Sequence, residues 1–143
     1  MNATIPSAQI AVVDDDAGFR SAMLLLLDAE ALPAVAFDSP VAFLAEHETA
    51  TFDVVISDVQ MPGLSGFELI EAIDRGHRSV PVILITGRLE ADLDTKAQAC
   101  GAFALLRKPI EAASLLEWLH KALTDDTCNE RDNPGSERVH RPD

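Results

Sequence analysis

Basic side chains are scarce. Eleven Lys and Arg stand against 24 Asp and Glu, a net charge of −13 at pH 7. A surface of that sign repels nucleic acid, so no direct DNA or RNA contact is expected. Cysteine is scarcer still: Cys100 and Cys128 are the two in the chain, and neither belongs to a motif. That excludes a disulfide framework and points to a reducing, cytoplasmic setting. No apolar run approaches the ~18–20 residues of a membrane span, so no membrane insertion is expected. The first residues, Met1 to Pro6, place no basic side chain ahead of an apolar run, unlike a signal peptide. His47, His77, His120 and His140 show no metal-ligand spacing and read as surface or packing residues. Internal repeats are absent.

What is present is a regular alternation. The chain has 143 residues and is 48% hydrophobic and 24% charged, enough for one domain with a real core and too little for two. Ile10 to Val13 is a continuous apolar run, as in a strand buried on both faces. Helical spacing follows over 17–30, with Phe19, Met23, Leu26 and Leu27 on one side and Asp16 as N-cap. Residues 32–37 form a weaker strand that Pro33 assigns to a sheet edge. Ser39 caps a short helix with Pro40 at its first position, ending near His47. A strand over 52–58 comes next, then a helix over 66–75 stopped by Gly76. The most apolar strand spans 80–86. A polar, weakly docked helix over 89–100 is stopped by Gly101. A fifth strand over 102–106 and an amphipathic helix over 111–123 complete the domain, which spans 8–123. Trp118, on that last helix, reads as core. From 124 to 143 the chain has too few apolar residues to fold and reads as a disordered polar tail. Five strands alternating with five helices imply an α/β fold, a parallel sheet with helices on both faces.

Four apolar runs end in polar groups: Asp14 and Asp15, Asp58, Thr86 and Lys108. In open α/β sheets the carboxyl ends of strands carry the chemistry. Alone, Asp14 to Asp16 is helix capping, Thr86 a turn hydroxyl and Lys108 a solvated charge. Their recurrence at four strand ends favours a site. Clustered carboxylates repel one another unless a cation neutralises them, and all-oxygen ligation with few protein ligands suits Mg²⁺. A hard cation, an ammonium and a hydroxyl can together hold three phosphoryl oxygens, which gives Asp58 a use as nucleophile forming an acyl phosphate.

With Val12-Val13-Asp14-Asp15-Asp16, Ile56-Ser57-Asp58-Val59-Gln60-Met61-Pro62-Gly63, Ile85-Thr86-Gly87 and Leu106-Arg107-Lys108-Pro109 in this order and spacing, the sequence resembles the receiver domain of bacterial two-component response regulators. The resemblance covers roughly 8–123. It implies a flavodoxin-like sheet of order 2-1-3-4-5 and a cis peptide before Pro109. It implies that Asp58 accepts phosphate from a histidine kinase or histidine phosphotransferase. The implied Mg²⁺ ligands are Asp15, Asp58 and the Gln60 backbone carbonyl, with Asp14 acting mostly through water. Thr86 and Lys108 are implied to contact the phosphoryl group. A downstream protein would read the face built by the fourth helix, fifth strand and fifth helix.

Two departures from the family stand out. Many receivers carry Tyr or Phe three residues before the Lys, where this chain has Leu105; Phe103 is expected to share the face of Leu105 by strand alternation. No basic output module follows the receiver. The reading is therefore a stand-alone phosphoacceptor acting by protein contact, a switch rather than an enzyme, with weak self-phosphorylation and self-dephosphorylation. A phosphate sink that drains a kinase is the first rival. An Asp-nucleophile phosphatase is the second; such enzymes need an acid two residues after the nucleophile, where this chain has Gln60.

Overall fold

Strands form where branched apolar residues run without interruption, and in this chain those runs lie side by side. The computed structural model describes residues 9–47, 52–75, 80–87 and 92–124. In chain order it contains β1 (Ile10–Val13), α1 (Ala17–Ala29), β2 (Ala34–Phe37), α2 (Pro40–His47), β3 (Val54–Asp58), α3 (Gly66–Asp74), β4 (Val82–Thr86), α4 (Leu93–Cys100), β5 (Ala104–Arg107) and α5 (Ala112–Thr124). The five strands make one sheet of order β2-β1-β3-β4-β5, and every pairing is parallel.

The side-chain period of two splits the core cleanly. Ala11, Val13, Val55, Val82, Leu84 and Leu105 point to one face, where Phe43 of α2, Leu69, Ile70 and Ile73 of α3, and Leu93 and Ala97 of α4 cover them. Ile10, Val12, Val54, Ile56, Ile83, Ile85 and Ala104 point to the other, beneath Met23 and Leu27 of α1 and Leu115 and Leu119 of α5. A sheet covered on both faces needs no polar alternation, which is why the strands read as unbroken apolar runs. β2 is an edge strand, as Pro33 implied, and it is the less buried one: Val35 is exposed.

Local signals set the helix ends. Asp16 caps α1 by accepting from the Gly18 N–H, and Ser39 accepts from the Ala42 N–H at the start of α2. α3 has a full capping box, in which Ser65 accepts from the Glu68 N–H and Glu68 from the Ser65 N–H. Gly101 ends α4 in the left-handed region at φ 88°. Arg75 caps α3; the expected stop at Gly76 lies outside the described residues, as does the first turn expected for α4 from 89 to 91. α5 runs to Thr124, whose hydroxyl donates to the His120 carbonyl. Thr124, expected as the first residue of the tail, therefore belongs to α5; the rest of the expected tail lies outside the described residues.

One expectation is corrected. Phe103 does not share the face of Leu105. The strand begins at Ala104, so Phe103 is outside the alternating register. Its ring turns to the α5 face and meets Trp118 edge-on at 5.8 Å, while Leu105 packs on the α4 face.

Candidate functional site

Parallel strands place all their carboxyl ends along one margin of the sheet, and the polar residues collect there. Val13 is level with Ser57, Asp58 with Ile85, and Thr86 with Arg107. Asp14, Asp58 and Lys108 therefore emerge from three strands at nearly the same height. The structure brings them into contact. Lys108 Nζ lies 3.4 Å from Asp14 Oδ2 and 3.4 Å from Asp58 Oδ2. These are long for charge-assisted hydrogen bonds, so the ammonium sits between the two carboxylates without closing on either.

Each carboxylate is oriented from behind by the backbone. Asp14 Oδ1 accepts from the Asp16 N–H at 2.9 Å. Asp58 Oδ1 accepts from the Gln60 N–H at 3.1 Å. Their Oδ2 atoms are left facing Lys108. The side chain of Asp15 is exposed, and one carboxylate oxygen from each of Asp14, Asp15 and Asp58 falls within 4.8 Å of the others. Thr86 is fully buried at the tip of β4, and its carbonyl accepts the Lys108 N–H at 2.8 Å. Gln60 is exposed just past the tip of β3. The peptide between Lys108 and Pro109 is cis, as the resemblance implied.

Electrostatics follow from the placement. Asp14 is fully buried. Burial pushes its carboxyl upward from the ordinary value; the Asp16 N–H opposes this, and the nearby charge of Asp58 adds to the rise. Burial pulls the Lys108 ammonium down, but Asp58 and Asp14, by charge and hydrogen bond, outweigh that and hold its pKa above the ordinary value. Three carboxylates against one ammonium leave an uncompensated negative charge lined with oxygen donors. A small hard cation fits such a donor set.

A close approach locks α3 to the site. A Cβ on Gly66 would meet the Asp58 carbonyl at 2.6 Å, Leu84 Cδ2 at 2.8 Å and Val59 Cα at 3.1 Å. Only glycine allows the start of α3 to lie against the tip of β3, where its N–H donates to the Val59 carbonyl.

Two site residues went unrecognised in the sequence. Arg20 donates from its guanidinium to the Asp14 carbonyl at 2.8 Å. Phe19 places its ring 4.3 Å from Lys108 Nζ. Both lie on the first turns of α1, close behind Asp14 to Asp16; for Arg20 that proximity is a signal in the sequence, whereas nothing local links Phe19 to Lys108.

The response regulator receiver domain model matches residues 10–120. The chain belongs to that family. The receiver is thus a module of two-component signal transduction. It is 35% identical over 114 residues to the transcriptional regulatory protein FixJ of Bradyrhizobium diazoefficiens, covering 80% of this chain and 56% of FixJ. It is 35% identical over 109 residues to the DNA-binding transcriptional regulator NtrC of Escherichia coli, covering 74% of this chain and 23% of NtrC. The chain thus spans about half of one regulator and a quarter of the other. Among solved structures it resembles the chemotaxis response regulator CheY4 of Vibrio cholerae, with a TM-score of 0.74 and 29% identity over 81% of this chain and 98% of that one. Among the described residues, no helix is long and apolar enough to cross a membrane.

Proposed function

We propose that this receiver accepts a phosphoryl group on Asp58 from a histidine kinase or histidine phosphotransferase and passes the signal on by protein contact. The observation that carries the reading is the pairing at Asp58. One oxygen is fixed by a backbone N–H while the other faces an ammonium that also touches Asp14. A carboxylate so aimed is a nucleophile with a fixed direction of attack.

In the proposed step a carboxylate oxygen of Asp58 attacks the phosphorus of a phosphohistidine. The O–P bond forms as the donor's N–P bond breaks, and the electron pair returns to the imidazole nitrogen, which takes up a proton. Lys108 and the Thr86 hydroxyl bind oxygens of the transferred group, and the Arg20 and Asp16 contacts keep Asp14 in place. Asp15, Asp58 and the Gln60 backbone carbonyl would hold Mg²⁺, with Asp14 acting mostly through water. The ion supplies positive charge against the phosphoryl oxygens. Gln60 offers no carboxyl to protonate a leaving group, which favours a switch with slow self-dephosphorylation over a phosphatase. The excess of acidic residues supports a protein partner over nucleic acid, met through α4, β5 and α5. Two-cysteine composition supports a cytoplasmic setting, and the finer reading of a receiver acting alone is tested by the mass of the native protein in its source cell.

Asp58→Asn tests the assignment. The wild type should take one phosphoryl group from acetyl phosphate, dependent on Mg²⁺, and the Asn variant none, because an amide is not a competent nucleophile. Stoichiometric labelling of the Asn variant, stable in acid and labile in base, would sink the reading.

A further inference from the structure

Lys108 has a third neighbour besides its two carboxylates. Its ammonium stands 4.3 Å from the centroid of the Phe19 ring, well inside the ~6 Å at which a cation is attracted to an aromatic face. The ring is held from several sides. It packs against the core beneath α1 and α5. The turn that carries it is capped by Asp16 and clamped by Arg20 to the Asp14 carbonyl. Lysine is a long flexible side chain that loses rotamer freedom when fixed. Long bonds to two carboxylates alone define its direction poorly.

We infer that Phe19 is a positioning residue: its ring face holds the Lys108 ammonium at the height of the Asp58 carboxylate, ready for a phosphoryl oxygen. The inference rests on the phosphoacceptor reading of Asp58 and adds to it. The ring offers attraction without hydrogen bonding. Lys108 therefore keeps its N–H donors for the carboxylates before transfer and for the phosphoryl group afterwards. A second acid in place of the ring would compete with that group, and an aliphatic side chain would let the ammonium wander. α1 thus contributes to the site through Lys108 as well as through its cap.

Two measurements test this. The first is the NMR shift of the lysine ε-methylene protons in the metal-free protein, with the Lys108 signal assigned by its loss in Lys108→Arg. The ring face should move that signal upfield, and Phe19→Leu should return it. Lys121, which stands over Trp118 at 4.7 Å, should keep its own shift in that variant and so serves as reference. The second is the rate of labelling by acetyl phosphate. Phe19→Leu keeps the apolar packing and removes the ring face; it should slow labelling roughly 2- to 10-fold. Phe19→Tyr restores the face and should label within about twofold of wild type. An unshifted Lys108 signal in the wild type overturns the inference, as does a Leu variant as fast as wild type or a Tyr variant as slow as Leu. If the wild type takes no label at all, the phosphoacceptor reading is what fails, and the shift measurement still decides whether the ring holds the lysine.

Discussion

Asp14 is the residue on which the acidic site weighs most. It is fully buried, and burial, with the charge of Asp58 adding to it, raises its carboxyl pKa against the opposing Asp16 N–H. A carboxyl whose folded-state pKa is raised favours folding while it is protonated. That contribution is present below the unfolded-state value and is lost as pH rises through the folded-state value. At neutral pH the metal-free receiver therefore carries a penalty. Asp14→Asn removes the like charge facing Asp58 while leaving an oxygen for the Asp16 N–H, and it gives up the Lys108 ion pair, which at 3.4 Å is long. Relief of one such contact is worth about 1 kcal/mol, or roughly 3–6 °C in Tm for a domain of this size. Calorimetry in a chelator at pH 7 should show that rise, and the extra stability conferred by Mg²⁺ should shrink. A fall in Tm with an unchanged Mg²⁺ effect would show that Asp14 is held mainly by its partners. Glycine gives a second comparison at this scale. Gly66→Ala drives a Cβ into the Asp58 carbonyl at 2.6 Å, so either α3 or the tip of β3 must move. A loss of about 1–3 kcal/mol in urea unfolding is expected, with slower labelling by acetyl phosphate. Gly87→Ala is the control: its nearest neighbour is Lys108 Cδ at 3.9 Å, an ordinary contact, and its stability should stay within about 0.5 kcal/mol of wild type.

Among the elements, α4 is the one that can move most cheaply. It buries only Leu93 and Ala97, and its N-cap Asp92 makes no side-chain cap bond. Its ion pair from Asp94 to Arg107 at 3.7 Å is largely exposed and so contributes little. In receivers with an aromatic three residues before the Lys, activation is read out by that ring turning inward. Leu105 is already inside, packed with Leu93, Ala97 and Ala102, so no such swing is open to it. Beryllofluoride, a phosphoryl mimic, should change amide exchange chiefly along Leu93–Cys100, with β5 unchanged. Altered protection at Leu105 with α4 constant would refute this.

The same element shows where the sequence was legible. The caps Asp16 and Ser39, the αL stop at Gly101 and the four polar strand ends are legible, because each is a local chemical signal; the Ser65–Glu68 capping box is one more such signal, which the expected helix ends leave out. The start of β1 at Ile10 is legible too, but the later strand starts are not: the apolar runs begin at Phe52, Val80 and Ala102, yet the ladders begin at Val54, Val82 and Ala104. All three are buried, and an apolar run records burial, whereas a strand is defined by its hydrogen bonds. Phe103 departs from the expected face for the same reason, since β5 begins only at Ala104. The ring of Phe19 over Lys108 joins residues far apart in the chain, and only the folded β1–α1 and β5–α5 corners bring them together.

For the molecule as a whole, parallel topology separates the sheet into a chemical end and an inert end. Every site residue lies at the carboxyl end of a strand or just past it. The single Trp of the chain is tied to the opposite end. Trp118 packs edge-on against Phe103, and the Phe103 N–H donates to the carbonyl of Val82, the first residue of β4. Thr86, at the site, is the last residue of the same strand. Four residues at ~3.3 Å each put about 13 Å of strand between them. Beside Asp58 the neighbouring residue is Val59, which is buried and carries no chromophore. Mg²⁺ at the carboxylates should therefore leave the tryptophan fluorescence nearly unchanged, even while it raises Tm. The two readings must be taken on one sample, so that a silent fluorophore is not mistaken for an absent metal. Strong quenching that saturates together with the rise in Tm would mean that binding at the chemical end rearranges α5 across the length of the sheet. In that event the two ends could not be treated as separate, and the signal would leave through α5 as well as α4.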